Sequence, residues 1–271
     1  MRAHAALGPQ WGDPWVLGPA VIGPAARNGR VWTIPVDSAV QHGRTLVRVA
    51  LPATGAPRAV VLVLPVQANL RATYGDGLHE VLRCPAIDTH YMAVAAPTFT
   101  DSPWGVDHIR DPRLRQETHL LEVVVPLLDR ILGRGLPRFA VGFSKGGFAA
   151  LNLLLRHPDL FAGASIWDAS MLRDRPIPDQ LLAVAGSPDQ VARYHIPTAL
   201  RTAAARLGTP PRLVLGGYGT LRADQLAAHR QLIEAGVDHR YYDGPPREHR
   251  WDSGWLPHAL DELTRLATWP R

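Results

Sequence analysis

One pentapeptide restricts the architecture of this 271-residue chain more than any other: Gly142-Phe143-Ser144-Lys145-Gly146. It follows an apolar run ending at Val141 and precedes a segment with helical apolar spacing, Gly147 to Arg156. A serine between a buried strand and a helix, with glycine two residues to either side, fits a sharp strand-turn-helix elbow. Such a turn crowds the serine backbone into a strained conformation, and only neighbours without side chains tolerate the crowding. The Ser144 hydroxyl is then raised above the sheet at the positive end of the following helix. A hydroxyl placed there can attack a carbonyl once a histidine takes its proton.

The rest of the chain supplies the sheet that such an elbow needs. Segments 31–35 and 45–51 read as two strands joined across 37–43. Segments 59–64, 91–96, 137–141, 161–167, 212–215 and 238–242 read as further strands. Helical spacing marks 78–83, 115–132, 147–156, 224–235 and 256–266. Alternating strands and helices predict an α/β fold, a mainly parallel sheet with helices on both faces. Residues 1–29, rich in Gly, Pro and Ala, read as an irregular lead-in, and residues 30–271 as one domain. Hydrophobic content of 46% is ample for a core.

Composition also excludes. No apolar run reaches the length of about 18 residues that a membrane span needs. The start of the chain does not resemble a secretory signal, and the single cysteine, Cys84, has no internal partner, so a cytoplasmic location is expected. The net charge is +5, but the arginines are scattered and form no basic tract, which argues against nucleic acid as a partner. Lys145 is the only lysine in the sequence. Its backbone N–H stands where an oxyanion donor belongs. Its side chain either meets a substrate carboxylate or fills a place too narrow for a guanidinium.

A base and an acid must complete the site. His249 lies in the loop 245–255, after the last predicted strand and before the last helix, where the base of such a site belongs. His157 ends a helix, His229 lies inside one, and His90 and His108 fall near the pocket mouth. The acid ordinarily follows the strand at 212–215, yet Gly216 to Leu221 contains no carboxylate. Two substitutes stand nearby. Asp168 directly follows a strand end and has no ordinary structural role there. Asp224 begins a helix, where a carboxylate serves the helix dipole. Asp168 is preferred and Asp224 is the alternative. The second oxyanion donor is expected from the loop after 59–64, near Val66 or Gln67. Trp104, Trp167 and Trp251, with Trp255, fall on predicted loops. They either line an aromatic substrate pocket or pack as core beneath long loops.

These residues resemble the esterase D / putative esterase branch of the α/β-hydrolase superfamily, which includes feruloyl-esterase-like and mycolyltransferase-like members. The likeness rests on Gly142 to Gly147, on Leu153-Leu154-Leu155-Arg156-His157-Pro158-Asp159-Leu160-Phe161 and on His249-Arg250-Trp251. It extends to Trp167-Asp168-Ala169, Asp107-His108 and Arg115-Gln116-Glu117, and spans residues 31 to 267. The resemblance implies an α/β-hydrolase fold, Ser144 as nucleophile and His249 as base. It implies hydrolysis or transfer of acyl groups on small ester or thioester substrates, without metal or organic cofactor. The acid position departs from the pattern. Two other functions stay open at this point, an acyltransferase with the same residues and a non-catalytic binding protein on the same fold. Nothing in the sequence sets the oligomeric state.

Overall fold

The computed structural model describes residues 12–67, 71–172, 176–207 and 210–266. Among them, eleven strands form one mixed sheet. β1 (Trp15–Leu17), β2 (Ala20–Ile22), β3 (Ala26–Asn28), β4 (Val31–Ser38) and β5 (Arg44–Ala50) make an antiparallel flank. β6 (Ala59–Val63), β7 (Met92–Pro97), β8 (Arg138–Phe143), β9 (Gly163–Trp167), β10 (Leu213–Gly216) and β11 (Arg240–Tyr242) make a parallel body. The spatial order is β1-β2-β4-β5-β7-β6-β8-β9-β10-β11, with β3 paired to β4. β7 joins the two parts, antiparallel to β5 and parallel to β6.

The helices are α1 (Arg71–Tyr74), α2 (Gly77–Leu82), α3 (Pro85–Thr89), α4 (Gln116–His119), α5 (Val125–Leu132), α6 (Ser144–Arg156), α7 (Asp179–Ala185), α8 (Pro188–Ala192), α9 (Ile196–Leu207), α10 (Arg222–Glu234) and α11 (Leu256–Leu266). Every residue of β6, β7, β8 and β9 is buried. Strands of that kind need cover on both faces, and they have it. Val60, Leu62 and Leu64 pack in one cluster with Phe148, Leu151 and Leu154 of α6. Val61 and Val63 pack in the opposite cluster with Leu78 and Val81 of α2 and Leu256, Leu260 and Leu263 of α11. The chain therefore has the α/β architecture that its alternating pattern predicts.

Residues 12–29 differ from the irregular lead-in expected of them. They contribute β1, β2 and β3, and Ala20 and Ile22 are buried. The glycines there mark the turns between strands of three residues: Gly18 and Gly29 have φ of +53° and +59°. Such strands are too short for a periodic pattern, so turn chemistry dominates their composition. Residues 1–11 of the expected lead-in lie outside the described residues. The long helix read at 115–132 is also interrupted. A π-helical turn, Leu120–Val124, links α4 to α5. Pro126 sits in the first turn of α5, has no N–H and cannot continue the regular ladder. No helix among the described residues is long and apolar enough to cross a membrane.

A buried ionic knot ties α4 to the far end of α6. The Glu117 carboxylate accepts from Arg156 Nε at 2.6 Å, from Arg156 Nη2 at 3.0 Å and from the Tyr194 hydroxyl at 2.7 Å, with His157 Nε2 at 2.7 Å. Burial acts to raise its pKa, but the bonds from His157, Arg156 and Tyr194 outweigh burial and hold it at about 2. A depressed carboxylate adds stability that is complete above its ordinary value of 4.5 and is lost as pH falls toward 2. Glu117→Ala is expected to lower unfolding free energy by about 3 kcal/mol at neutral pH, because Arg156 loses its counter-charge. Urea titrations of both proteins between neutral and strongly acid pH check this. The gap between them should close across that acid window.

Candidate active site

The carboxyl ends of β6, β8, β9 and the segment after β11 converge on one edge of the sheet, the usual place for a site in this architecture. At the end of β8 the chain turns directly into α6, and Ser144 has φ of +53°. A serine pays about 1 kcal/mol or more for that conformation. The close packing around it explains the flanking glycines. A Cβ on Gly142 would lie 2.3 Å from the backbone of Gly146, and one on Gly146 would lie 2.3 Å from the Leu64 carbonyl oxygen. The loop after β6 is thus pressed against the first turn of α6, with Lys145 between Ser144 and that contact.

The structure brings Ser144, Asp168 and His249 together. The Ser144 N–H donates to the Asp168 carbonyl oxygen at 3.1 Å. The Asp168 carboxylate is fully buried and lies 2.5 Å from His249 Nδ1. Its remaining capacity is filled by backbone. The Thr220 N–H donates to Oδ2 at 2.8 Å and the Leu221 N–H donates to Oδ1. Gly219 forms the wall of this cradle, since a Cβ there would lie 2.2 Å from the carboxylate carbon. The loop after β10, which carries no acid, therefore holds the acid that follows β9. Thr220, Leu221 and Gly219 carry no signal in the sequence, because backbone donors leave no residue-type trace. Asp168 itself has φ of +44°, a conformation that Asp tolerates better than most residues.

Asp224 is placed elsewhere in the local structure. Its carboxylate is buried and accepts from the Met171 N–H at 3.0 Å, pinning the segment that follows Asp168. His249 stands in a collar of rings: Phe143 at 4.9 Å, Tyr74 at 6.1 Å and Trp167 at 6.3 Å between centroids. With Nδ1 on Asp168, Nε2 is the nitrogen left to meet another group. Neither His249 Nε2 nor the Ser144 hydroxyl has a hydrogen-bond partner among the described residues.

Lys145, Val66 and Gln67 are neighbours across the mouth of the elbow. Lys145 Nζ donates to Gln67 Oε1 at 2.6 Å. Val66, Gln67, Tyr74 and Trp251 border a cleft of about 630 Å³ that also reaches Leu46, Phe99 and Pro103. Of the four tryptophans Trp104, Trp167, Trp251 and Trp255, Trp251 lines this cleft. Trp104 and Trp167 are buried: Trp104 packs edge-on against Phe148, and Trp167 stacks on Trp255 at 5.3 Å. Trp167 is the last residue of β9, and its burial comes with that strand. Among the described residues no group of three His, Cys, Asp or Glu side chains is arranged to hold a metal ion.

No family model and no curated protein matches the chain. Solved structures do. FphF, a fluorophosphonate-binding serine hydrolase of Staphylococcus aureus, is 19% identical with a TM-score of 0.68, over 90% of this chain and 99% of its own. A ferulic acid esterase is 20% identical with a TM-score of 0.65, over 88% of this chain and 98% of its own. An S-formylglutathione hydrolase from Agrobacterium tumefaciens is 16% identical with a TM-score of 0.64, over 91% of this chain and 99% of its own. At these identities the likeness is one of architecture, and the chain has the α/β-hydrolase fold.

Proposed function

We propose that this chain is a serine hydrolase that cleaves a small carboxylic ester or thioester through an acyl-enzyme on Ser144, with His249 as base and Asp168 as its orienting acid. The observation that carries the reading is the buried Asp168 carboxylate, bonded to His249 Nδ1 and held by two backbone N–H groups of the next loop. A carboxylate on Nδ1 fixes the tautomer that presents a basic Nε2, and it favours the imidazolium that forms when Nε2 takes a proton. The similar structures, an esterase and two hydrolases, agree with this chemistry.

The steps follow from the arrangement. Nε2 of His249 accepts the Ser144 proton as Oγ attacks the substrate carbonyl. The developing oxyanion is held by the Lys145 N–H and by an N–H of the Val66–Gln67 segment, each such donor being worth about 100- to 1000-fold in rate. The imidazolium then protonates the leaving alcohol or thiol. Water, activated by the same nitrogen, attacks the acyl-enzyme and releases the acid. The rings of Phe143, Tyr74 and Trp167 pack around the imidazole, and burial of the Asp168 carboxylate strengthens the bond between them. The cleft beside Val66, Gln67 and Trp251 is the place for the substrate.

A fluorophosphonate probe tests the reading directly. The folded protein is expected to take up one equivalent, and Ser144→Ala none. Native protein that resists the probe would sink the proposal.

A further inference from the structure

The side chain of Lys145 has no part in those steps, and its surroundings are unusual for a cation. Nζ bonds to three neutral oxygens: Gln67 Oε1 at 2.6 Å, Ser102 Oγ at 2.9 Å and Gln180 Oε1. The Trp104 ring centroid lies 5.7 Å from it. No carboxylate of the described residues pairs with Nζ. The arginines of the adjoining cleft are different, because Arg48 pairs with Asp76 at 2.9 Å and Arg44 with Asp37 at 2.8 Å. Asp101, next to Ser102, turns instead to Thr100 and His42. Desolvation lowers the Lys145 pKa. A half-buried cation without a counter-charge is costly, and functional sites are where such costs are kept.

The three oxygens come from three segments around Ser144: the loop after β6, the loop after β7 and the start of α7. Gln67 is half-buried, whereas Gln180 is exposed. One of the three positions around Nζ is therefore held by a side chain that an incoming group can displace. An ammonium donates to a tripod of oxygens, which a planar guanidinium cannot. That geometry accounts for a single lysine in a chain whose other 28 basic side chains (29 less this one) are arginine.

We propose that Lys145 Nζ receives a carboxylate of the substrate, so that the preferred esters are anionic ones whose acyl or alcohol part ends in a carboxylate. The inference rests on the serine-hydrolase reading and narrows it. The carboxylate replaces the Gln180 oxygen, while Gln67 and Ser102 keep their places. A bond from the ammonium to a neutral amide oxygen is exchanged for one to a carboxylate, which supplies the counter-charge that Nζ lacks. Gln67 then has a second role, since its side chain steadies the ammonium while its backbone lies beside the oxyanion.

Two matched pairs of esters test this. p-Nitrophenyl hydrogen adipate against its methyl ester places the charge on the acyl side. 4-Acetoxybenzoate against methyl 4-acetoxybenzoate places it on the leaving group. Wild type is expected to favour the anionic member of one pair by about tenfold or more in kcat/KM, chiefly through KM. The pair that responds identifies the side. Lys145→Met should bring that ratio to about one, and Lys145→Arg should retain part of it. The ratio is the readout because the Lys145 backbone amide belongs to the oxyanion site and absolute rates can shift with it. Gln180→Ala, at an exposed position, should raise the ratio by removing the competing oxygen. Equal turnover within both pairs, a preference that survives Lys145→Met, or a ratio unchanged or lowered in Gln180→Ala would each overturn the carboxylate assignment while leaving the hydrolase intact. Wild type inert toward all four esters would instead remove the hydrolase reading, and this inference with it.

Discussion

Ser144→Ala is expected to lower kcat on p-nitrophenyl butyrate by about 10⁶-fold, the scale on which a serine acting as one unit with its histidine is missed. A residue of about 10³–10⁴ over the uncatalysed reaction should persist, since the oxyanion donors and the cleft remain. The substitution is informative because it changes little else. Serine and alanine meet the same strain at φ of +53°, so the two proteins should unfold at nearly the same urea concentration. Ser144→Gly makes the point from the other side. It should be as inactive as the alanine variant yet more stable, by about 1 kcal/mol, because glycine adopts this conformation without penalty. Steady-state kinetics beside urea unfolding separate the two effects. An active Ser144→Ala protein removes Ser144 from the chemistry.

Asp168→Asn is expected to cost about 10⁴-fold in kcat/KM. The cradle explains why an isosteric change is so severe. Every neighbour of the carboxylate is a donor: His249 Nδ1 and the Thr220 N–H at Oδ2, and the Leu221 N–H at Oδ1. An asparagine must turn its NH₂ toward one of them. Turned to His249, it forces the wrong tautomer. Turned to Leu221, it sets its own N–H against that backbone donor in a buried place, at about 1–3 kcal/mol. Loss of activity and loss of stability should therefore appear together. Asp224→Asn keeps an oxygen for the Met171 N–H, and its kcat/KM should stay within about tenfold of wild type, since it acts on the site only through backbone position. Falls of equal size in the two variants would unseat Asp168 as the acid.

The elbow is legible in sequence because its demands are local. Gly142 and Gly146 are required by backbone contacts within the same turn and with one adjacent loop. The parallel body is legible because strands buried on both faces are written as unbroken apolar runs. His249 is found by its place between the last strand and the last helix, a matter of chain order. Other features depend on residues far apart. The support for Asp168 comes from backbone N–H groups 52 and 53 residues away, which any residue but proline supplies. The acceptors around Lys145 are 35, 43 and 78 residues distant. Trp104 and Trp167 leave pocket and core both open in sequence, because the rings they pack on, Phe148 and Trp255, are distant in the chain. The flank strands β1, β2 and β3 are legible only through their partners, since three residues carry too little pattern to stand out from turns.

The missing side chain at position 219 ties together two distant codons. While the acid follows β9, residue 219 must be glycine, for any Cβ there collides with the carboxylate carbon. A side chain introduced at position 219 therefore disturbs the buried carboxylate without touching Ser144.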